Sequence, residues 1–201
     1  DGANRVDDLI ARALEFEQPA LAITDHGNMH AAWEFQEKAK KAGIKPIRGM
    51  EAYVAPGDRR ARQRVEGSTR SRAYYHLVLL ARNATGYKNL VKLSSLGYTE
   101  GFYSKPRVDR ELLTRYNEGI VVSSACMAGE VAAHLLDDNW DAAREAASWY
   151  AELFKDRYYL EVQAHDSSGQ ARLNTQVFKL AEELGLPVVA TNDAHFLRHD
   201  D

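Results

Sequence analysis

The chain has 201 residues, 45% of them hydrophobic and 27% charged, which are globular averages and exclude intrinsic disorder. No apolar run approaches the roughly 18 residues of a membrane span, and no basic-then-apolar leader opens the sequence, so neither a membrane protein nor a secreted one is expected. The net charge of −3, from 26 basic and 29 acidic residues, excludes attachment to nucleic acid through overall charge, so any phosphate contact must be local. The length suits one domain over 1–201, at roughly 100–200 residues per domain. The single cysteine, Cys126, forms no internal disulfide and fits a reducing, cytoplasmic setting. The chain opens at Asp1 without an initiator methionine and is expected to be a piece of a longer protein.

Short apolar runs alternate with helical stretches along the whole chain. Leu9, Ile10, Ala13 and Leu14 share one face of a helix over 6–16. "PALAIT" at 19–24 reads as a buried strand that ends on Asp25, His26 and Gly27. A helix over 29–42 stops at Gly43, and "KPIRGMEAYVA" at 45–55 is a strand interrupted by Glu51. Residues 56–72 form a loop rich in Arg, Gly and Ser, and "YYHLVLLA" at 74–81 is a strand carrying His76. A helix over 86–96, an irregular segment and a short helix over 110–116 follow. "GIVVSSAC" at 119–126 is the fourth strand, followed by helices over 129–136 and 140–154. "YYLEVQ" at 158–163, a helix over 169–184 and "LPVVATNDAH" at 186–195 complete the pattern. The alternation implies parallel strands with helical crossovers, either an α/β barrel or an open doubly wound sheet.

In such folds the chemistry sits at strand ends. Here each predicted strand brings a ligating or titratable group: Asp25 and His26, then Glu51, His76, Cys126, Glu161 with His165 nearby, and finally Asp193 with His195. A lone strand histidine such as His76 is more often a hydrogen-bonded core residue, and a lone cysteine a small buried apolar one. Six strands with such groups form a constellation instead. Imidazole, thiolate and carboxylate together are the ligand set of Zn²⁺, or of Mn²⁺ and Fe²⁺ where oxygen dominates. There are more ligands than one tetrahedral ion uses, so a multinuclear hydrolytic site is expected. His30, His134 and His199 read as ordinary surface histidines.

Four segments, "AITDHGNMHAAWEFQEKAKKAGIKPIRGMEAYVA", "YHLVLLARNATGYKNLVKLSSLGYTEGFYSKPRVDRELL", "GIVVSSACMAGEVA" and "PVVATNDAHFL", resemble the PHP (polymerase and histidinol phosphatase) domain. More narrowly, the "GY…GFY.KPR.D.ELL" and "ND.H" patterns resemble the branch found at the N-terminus of bacterial DNA polymerase III alpha subunits. The resemblance implies a distorted barrel of seven βα units with up to three divalent ions, Zn or Mn, at its mouth. It implies metal ligands at Asp1, His26, Glu51, His76, Cys126, Asp193 and His195. Glu51 would bridge two ions; Glu51, His76 and Cys126 would hold one, and Asp1, His26 and His195 another. The family's third ion would take Asp193 and Glu51 with a His-x-His that would precede Asp1, so a chain starting there is expected to be catalytically inactive by itself.

The implied activity is a 3′–5′ proofreading exonuclease within a DNA-directed DNA polymerase. Glu51, Asp193 and His195 would carry catalysis, and Asp25, Glu161, Gln163 and His165 would support the ligands or touch substrate. DNA and the rest of the alpha subunit are the implied partners. A second possibility is a scaffold that docks a separate proofreading subunit or other replisome subunits. A third is a stand-alone phosphoesterase of the histidinol phosphatase type. Basic groups fit a DNA partner: Arg59, Arg60, Arg62, Arg64, Arg70 and Arg72 in the loop, and Lys105 and Arg107 beside Tyr103. Guanidinium pairs phosphate well and an aromatic ring can stack on an unpaired base.

Overall fold

The computed structural model describes residues 4–62, 73–165 and 168–198. In chain order the elements are α1 (Val6–Glu15), β1 (Ala20–Ile23), α2 (Ala32–Lys41), β2 (Lys45–Val54), β3 (Tyr75–Ala81), α3 (Ala84–Thr99), β4 (Phe102–Tyr103) and β5 (Lys105–Val108). They continue as α4 (Arg110–Arg115), β6 (Ile120–Ser123), α5 (Glu130–Leu136), α6 (Trp140–Phe154), β7 (Tyr158–Gln163), α7 (Ser168–Leu184) and β8 (Val188–Thr191). Helix starts follow local chemistry. The side chains of Asn83, Asp109 and Asn139 each accept a hydrogen bond from the backbone N–H three residues on, which caps α3, α4 and α6.

The strands form one curled sheet in the order β4-β5-β2-β3-β6-β7-β8, with β1 also paired to β2. Among the described residues no pairing joins β8 to β1, so the sheet is a half-barrel. Strands β1, β2, β5, β6, β7 and β8 run one way. β3 runs against both of its neighbours. That corrects the all-parallel expectation: β3 pairs antiparallel with both β2 and β6, in the ladder that needs no crossover between neighbours. The irregular segment of the sequence resolves into the end of α3 and the short β4–β5 hairpin, so eight strands stand where six were expected. Strands of two and four residues are too short to show a periodic pattern.

The sheet register sorts side chains by face. Met50, Ala52, Val54, Leu77, Leu79, Val122, Tyr158 and Leu160 are buried in the outer layer, packed with residues of α3, α5, α6 and α7. Glu51 pairs with Val78 and Tyr53 with His76, so these residues point the other way, into the half-barrel. A second, smaller cluster of Ile10, Ala13, Phe35, Ala39 and Ile44 joins α1 and α2 to the near edge. The half-barrel's inner face opens a cavity of about 840 Å³. Val78, Leu80, Val121 and Val189 line it, as do Glu51 and His26.

One close approach is fixed by a missing side chain. A Cβ on Gly86, in the first turn of α3, would sit 1.8 Å from the carbonyl oxygen of Gly119 just before β6. Gly86→Ala is expected to cost about 3 kcal/mol in urea unfolding, the upper end of overpacking penalties. Gly57→Ala, where a Cβ would meet nothing within 4 Å, serves as the control and is expected to change stability by less than about 0.5 kcal/mol.

Candidate metal centre

The reversed direction of β3 gathers the cluster. His76 lies at the start of its strand, and only an antiparallel strand brings that end to the mouth where β2 finishes. The loop after β1 is drawn to the same place by backbone bonds. The N–H of Glu51 donates to the carbonyl of Asp25 at 3.1 Å, and the N–H of Gly27 donates to the carbonyl of Glu51 at 2.8 Å. Gly27 is required there, because its φ is +69° and a Cβ would lie 2.8 Å from Pro106 and 2.9 Å from Tyr53.

His26, Glu51 and His76 place one potential ligand atom each within 4.8 Å of one another. Nδ1–H of His76 donates to Glu51 Oε1 at 2.7 Å, and His26 Nε2 lies 3.5 Å from Oε2. The two carboxylate oxygens therefore serve two different imidazoles. The sulfur of Cys126 is 3.8 Å from both Glu51 Oε1 and His76 Nδ1. It is aimed by a strained backbone, since Ala125 has φ 63° without being glycine. Burial pushes the Glu51 carboxyl up, but the His76 hydrogen bond and the charges of His26 and His195 outweigh it and hold it below the usual carboxylate range. Burial lowers His26, against the pull of Glu51. Burial raises the Cys126 thiol to about 12, aided by the negative fields of Glu51, Asp193 and Glu161. Two imidazoles, a shared ionised carboxylate and a shielded sulfur are a donor set that fits a divalent transition metal.

Asp193 and His195 approach from the loop after β8. Nδ1–H of His195 donates to the carbonyl of Asp193 at 2.8 Å, and its ring centroid is 6.3 Å from that of His26. Asp193, like Ala125, has positive φ, 46°. Asp25 uses its carboxylate to accept from the N–H of Ala31 at 3.4 Å, which shapes the turn before α2. Glu161 is buried and hydrogen-bonded through both carboxylate oxygens. It accepts from the Ser123 hydroxyl, from Gln163 Nε2 at 2.9 Å and from Thr191 Oγ1 at 2.5 Å. His165 is exposed, and among the described residues no hydrogen bond or ion pair links it to the cluster. Asp1 lies outside the described residues.

The basic groups divide sharply. Arg107, expected to touch phosphate, is buried at 1% exposure, and its guanidinium donates to the carbonyls of Gly101, Ala73, Arg59 and Ala61. Arg59, also expected in the solvated loop, is buried and pairs with Asp109 at 3.0 Å, Glu100 at 2.6 Å and Glu111 at 2.9 Å. Neither can reach DNA. Their charges are consumed holding 58–61 and Ala73 onto β5 and α4. Tyr103 covers Arg107, its ring 5.1 Å from the guanidinium. Lys105 remains exposed, its ammonium 5.4 Å from the Tyr53 ring centre. Arg60 is half exposed and pairs with Glu100, while Arg64, Arg70 and Arg72 lie outside the described residues. His30 is exposed, but His134 is half-buried beside Tyr75 rather than on the surface, and His199 lies outside the described residues.

Two aromatics that the sequence reading passed over stand at the cluster. Tyr53 lies 5.8 Å from His26 and 5.3 Å from His76, and Tyr74 stacks 6.0 Å from His76, all between ring centres. The signal was present: in a strand, Tyr53 shares a face with Glu51, two residues before it. Burial pushes the Tyr53 phenol up to about 12, so it stands neutral beside the cluster.

The fold is an α/β half-barrel with a candidate metal centre at its mouth. The PHP domain family matches residues 1–165, and the chain belongs to that family. Over its full length it is 45% identical to DNA polymerase III subunit alpha of Deinococcus radiodurans, covering 15% of that protein. It is 43% identical to the same subunit of Thermus aquaticus, covering 16%, and 40% identical to that of Borreliella burgdorferi, covering 17%. The chain thus spans about a sixth of the length of these relatives. An amidohydrolase structure from Chromobacterium violaceum shares the fold at a TM-score of 0.53 and 14% identity, over 98% of this chain and 83% of that one.

Arg107→Ala is expected to destabilise by about 3 kcal/mol in urea unfolding, because four carbonyls lose a charged donor in a buried place. Lys105→Ala is expected to stay within about 0.5 kcal/mol, as surface changes do.

Proposed function

We propose that this PHP domain works inside a DNA polymerase III alpha subunit in the cytoplasm, as one unit over 1–201, and hydrolyses the terminal phosphodiester at a DNA 3′ end. The observation that carries the reading is the buried, ionised Glu51 carboxylate, with His26 and His76 on its separate oxygens and Cys126 at 3.8 Å. Glu51, His76 and Cys126 would hold one divalent ion, zinc or manganese, and His26 and His195 a second, with Asp193 at hand. Such ions supply Lewis-acid chemistry: they lower the pKa of water and offset charge on phosphoryl oxygens. The chain's own residues do the rest. Glu51 keeps both imidazoles oriented through its two oxygens. Asp193 fixes the His195 ring through its backbone carbonyl. Glu161, hydrogen-bonded through both oxygens, holds Ser123, Gln163 and Thr191 in place on the inner face. The remainder of the alpha subunit and DNA are the partners this reading requires.

The full-length protein, supplied with Mn²⁺ or Zn²⁺, is expected to remove 3′-terminal nucleotides from single-stranded or mismatched DNA. Glu51→Ala and His195→Ala are expected to lose more than the roughly 10–100-fold that weakened ligand support costs. Hydrolysis of phosphate monoesters with DNA ends left intact would overturn the assignment.

Cys126 has its own readout. With cobalt(II) as the probe metal, a thiolate ligand gives a sulfur-to-metal charge-transfer absorption. That band is expected in the wild type and absent in Cys126→Ser. A band of equal strength in both would remove Cys126 from the ligand set.

A further inference from the structure

At the open side of the half-barrel, where β8 and β1 are not paired, a side chain links the segment before α1 to the loop after β8. Nδ2 of Asn4 donates to the backbone carbonyl of Ala194 at 3.0 Å, across 190 positions of sequence. Both residues line the 840 Å³ cavity, together with His26, Glu51, Asp193 and His195. Asn4 immediately precedes Arg5, the N-cap of α1, and α1 is anchored through Ile10 and Ala13 in the small core it shares with α2. The donor is therefore mounted at the start of a packed helix. Oδ1 of the same amide is buried without a hydrogen-bond partner among the described residues, so the polar contribution of this side chain is its bond to Ala194.

Ala194 lies between Asp193 and His195, so whatever holds Ala194 also sets where those two side chains stand. The turn is not relaxed. Asp193 has φ 46°, in the left-handed region that a residue with a Cβ enters only at a cost. Thr191 fixes the end of β8 through its hydroxyl on Glu161, at 2.5 Å. Beyond that point Nδ1 of His195 donates to the carbonyl of Asp193 at 2.8 Å, a bond within the turn itself. It holds the ring against the turn but moves with the turn, so it does not hold the ring against the cluster. The Asn4 bond does so from a distant element. With Nδ1 engaged, Nε2 is the nitrogen that His195 would offer a metal. A turn released at Ala194 keeps that tautomer and loses its placement beside His26, whose ring centre is 6.3 Å from that of His195.

We infer that Asn4 is a positioning residue for the ion assigned to His26 and His195: it pins the Asp193–Ala194–His195 turn at the mouth of the half-barrel. The inference rests on the two-ion reading proposed above, and not on which phosphate ester is cut. The other ion's residues are placed without Asn4. Glu51 and His76 stand on β2 and β3, which pair in register, and the Cys126 sulfur accepts from the N–H of Ala128 at 3.4 Å in its own loop. The two ions should therefore respond differently when Asn4 is changed. Hydrogen bonds that orient a ligand from outside are worth roughly 10–100-fold in metal affinity. A neutral amide acting through the backbone belongs at the lower end of that range.

The test titrates cobalt(II) into the full polypeptide that carries this chain. The binding that His195→Ala abolishes defines the second ion, and the sulfur-to-metal band reports the Cys126 ion separately. Asn4→Ala and Asn4→Leu, the latter close to asparagine in size, are each expected to weaken the second ion about tenfold and to leave the sulfur band and its midpoint unchanged. On a His195→Ala background, Asn4→Ala is expected to change cobalt binding no further, because a residue that acts through the turn then has nothing left to position. Unchanged binding of the second ion in both Asn4 variants would overturn the inference. Equal weakening of both ions, or a further loss on the His195→Ala background, would make Asn4 a general support of the fold and overturn it as well. If His195→Ala itself loses no cobalt, the two-ion reading falls and the inference falls with it. If the second ion weakens as expected while the wild type leaves DNA 3′ ends intact, the inference stands and the phosphodiesterase reading falls.

Discussion

The structure turns on one buried charge. Glu51 sits 4% exposed in the middle of a sheet, where an unpaired carboxylate would cost several kcal/mol in lost solvation. It stays ionised only because two imidazoles meet its two oxygens. Each imidazole arrives by a different structural route. His76 comes from an antiparallel strand in register with β2, and His26 from a loop laced to Glu51 by backbone bonds. Replacing Glu51 by an apolar residue would leave those two rings facing each other with little reason to converge. The fold around the mouth is therefore arranged for this carboxylate, and a metal ion would share an arrangement that the protein already maintains.

That dependence explains which parts of the site could be read from the sequence. Ligating residue types interrupting apolar runs are visible without a structure, because a buried polar group needs a partner and rarely occurs by chance. His26, Glu51, His76 and Cys126 were legible in this way, and the structure brings them together. Strand direction was not legible. Periodicity is the same for a strand run in either sense, and the direction of β3 is set by its pairing with β2 and β6. Taken as parallel, His76 would lie at the far end of the half-barrel from Glu51. The resemblance to a known family implied a grouping of ligands, which periodicity alone does not give.

The arginines show the opposite failure. A loop dense in Arg, Gly and Ser reads as solvated, and Arg59 and Arg107 read as phosphate contacts. Both are buried because acceptors that are distant in sequence converge on them: three carboxylates on Arg59, four carbonyls on Arg107. Nothing in the local composition announces that convergence. Arg107 takes carbonyls from both Ala61 and Ala73, so a single guanidinium on β5 ties together two points of the β2–β3 connection. The antiparallel return of β3, and with it the position of His76, is held from outside the site by a residue that never touches it.

Two charge systems thus lie side by side and do different work. In one, Arg59 and Arg107 spend their donors inward, on Glu100, Asp109, Glu111 and backbone carbonyls, and stabilise the loop. In the other, the negative Glu51, with Asp193 and Glu161 nearby, faces the cavity mouth. Neutralising Glu100 and its neighbours with buried arginines has a consequence for the surface as well. It lowers the negative charge around β4 and β5, where Lys105 is exposed. A net charge of −3 is then compatible with an anionic substrate, because what an incoming phosphate feels within a Debye length is the local balance at the mouth and not the sum over the chain.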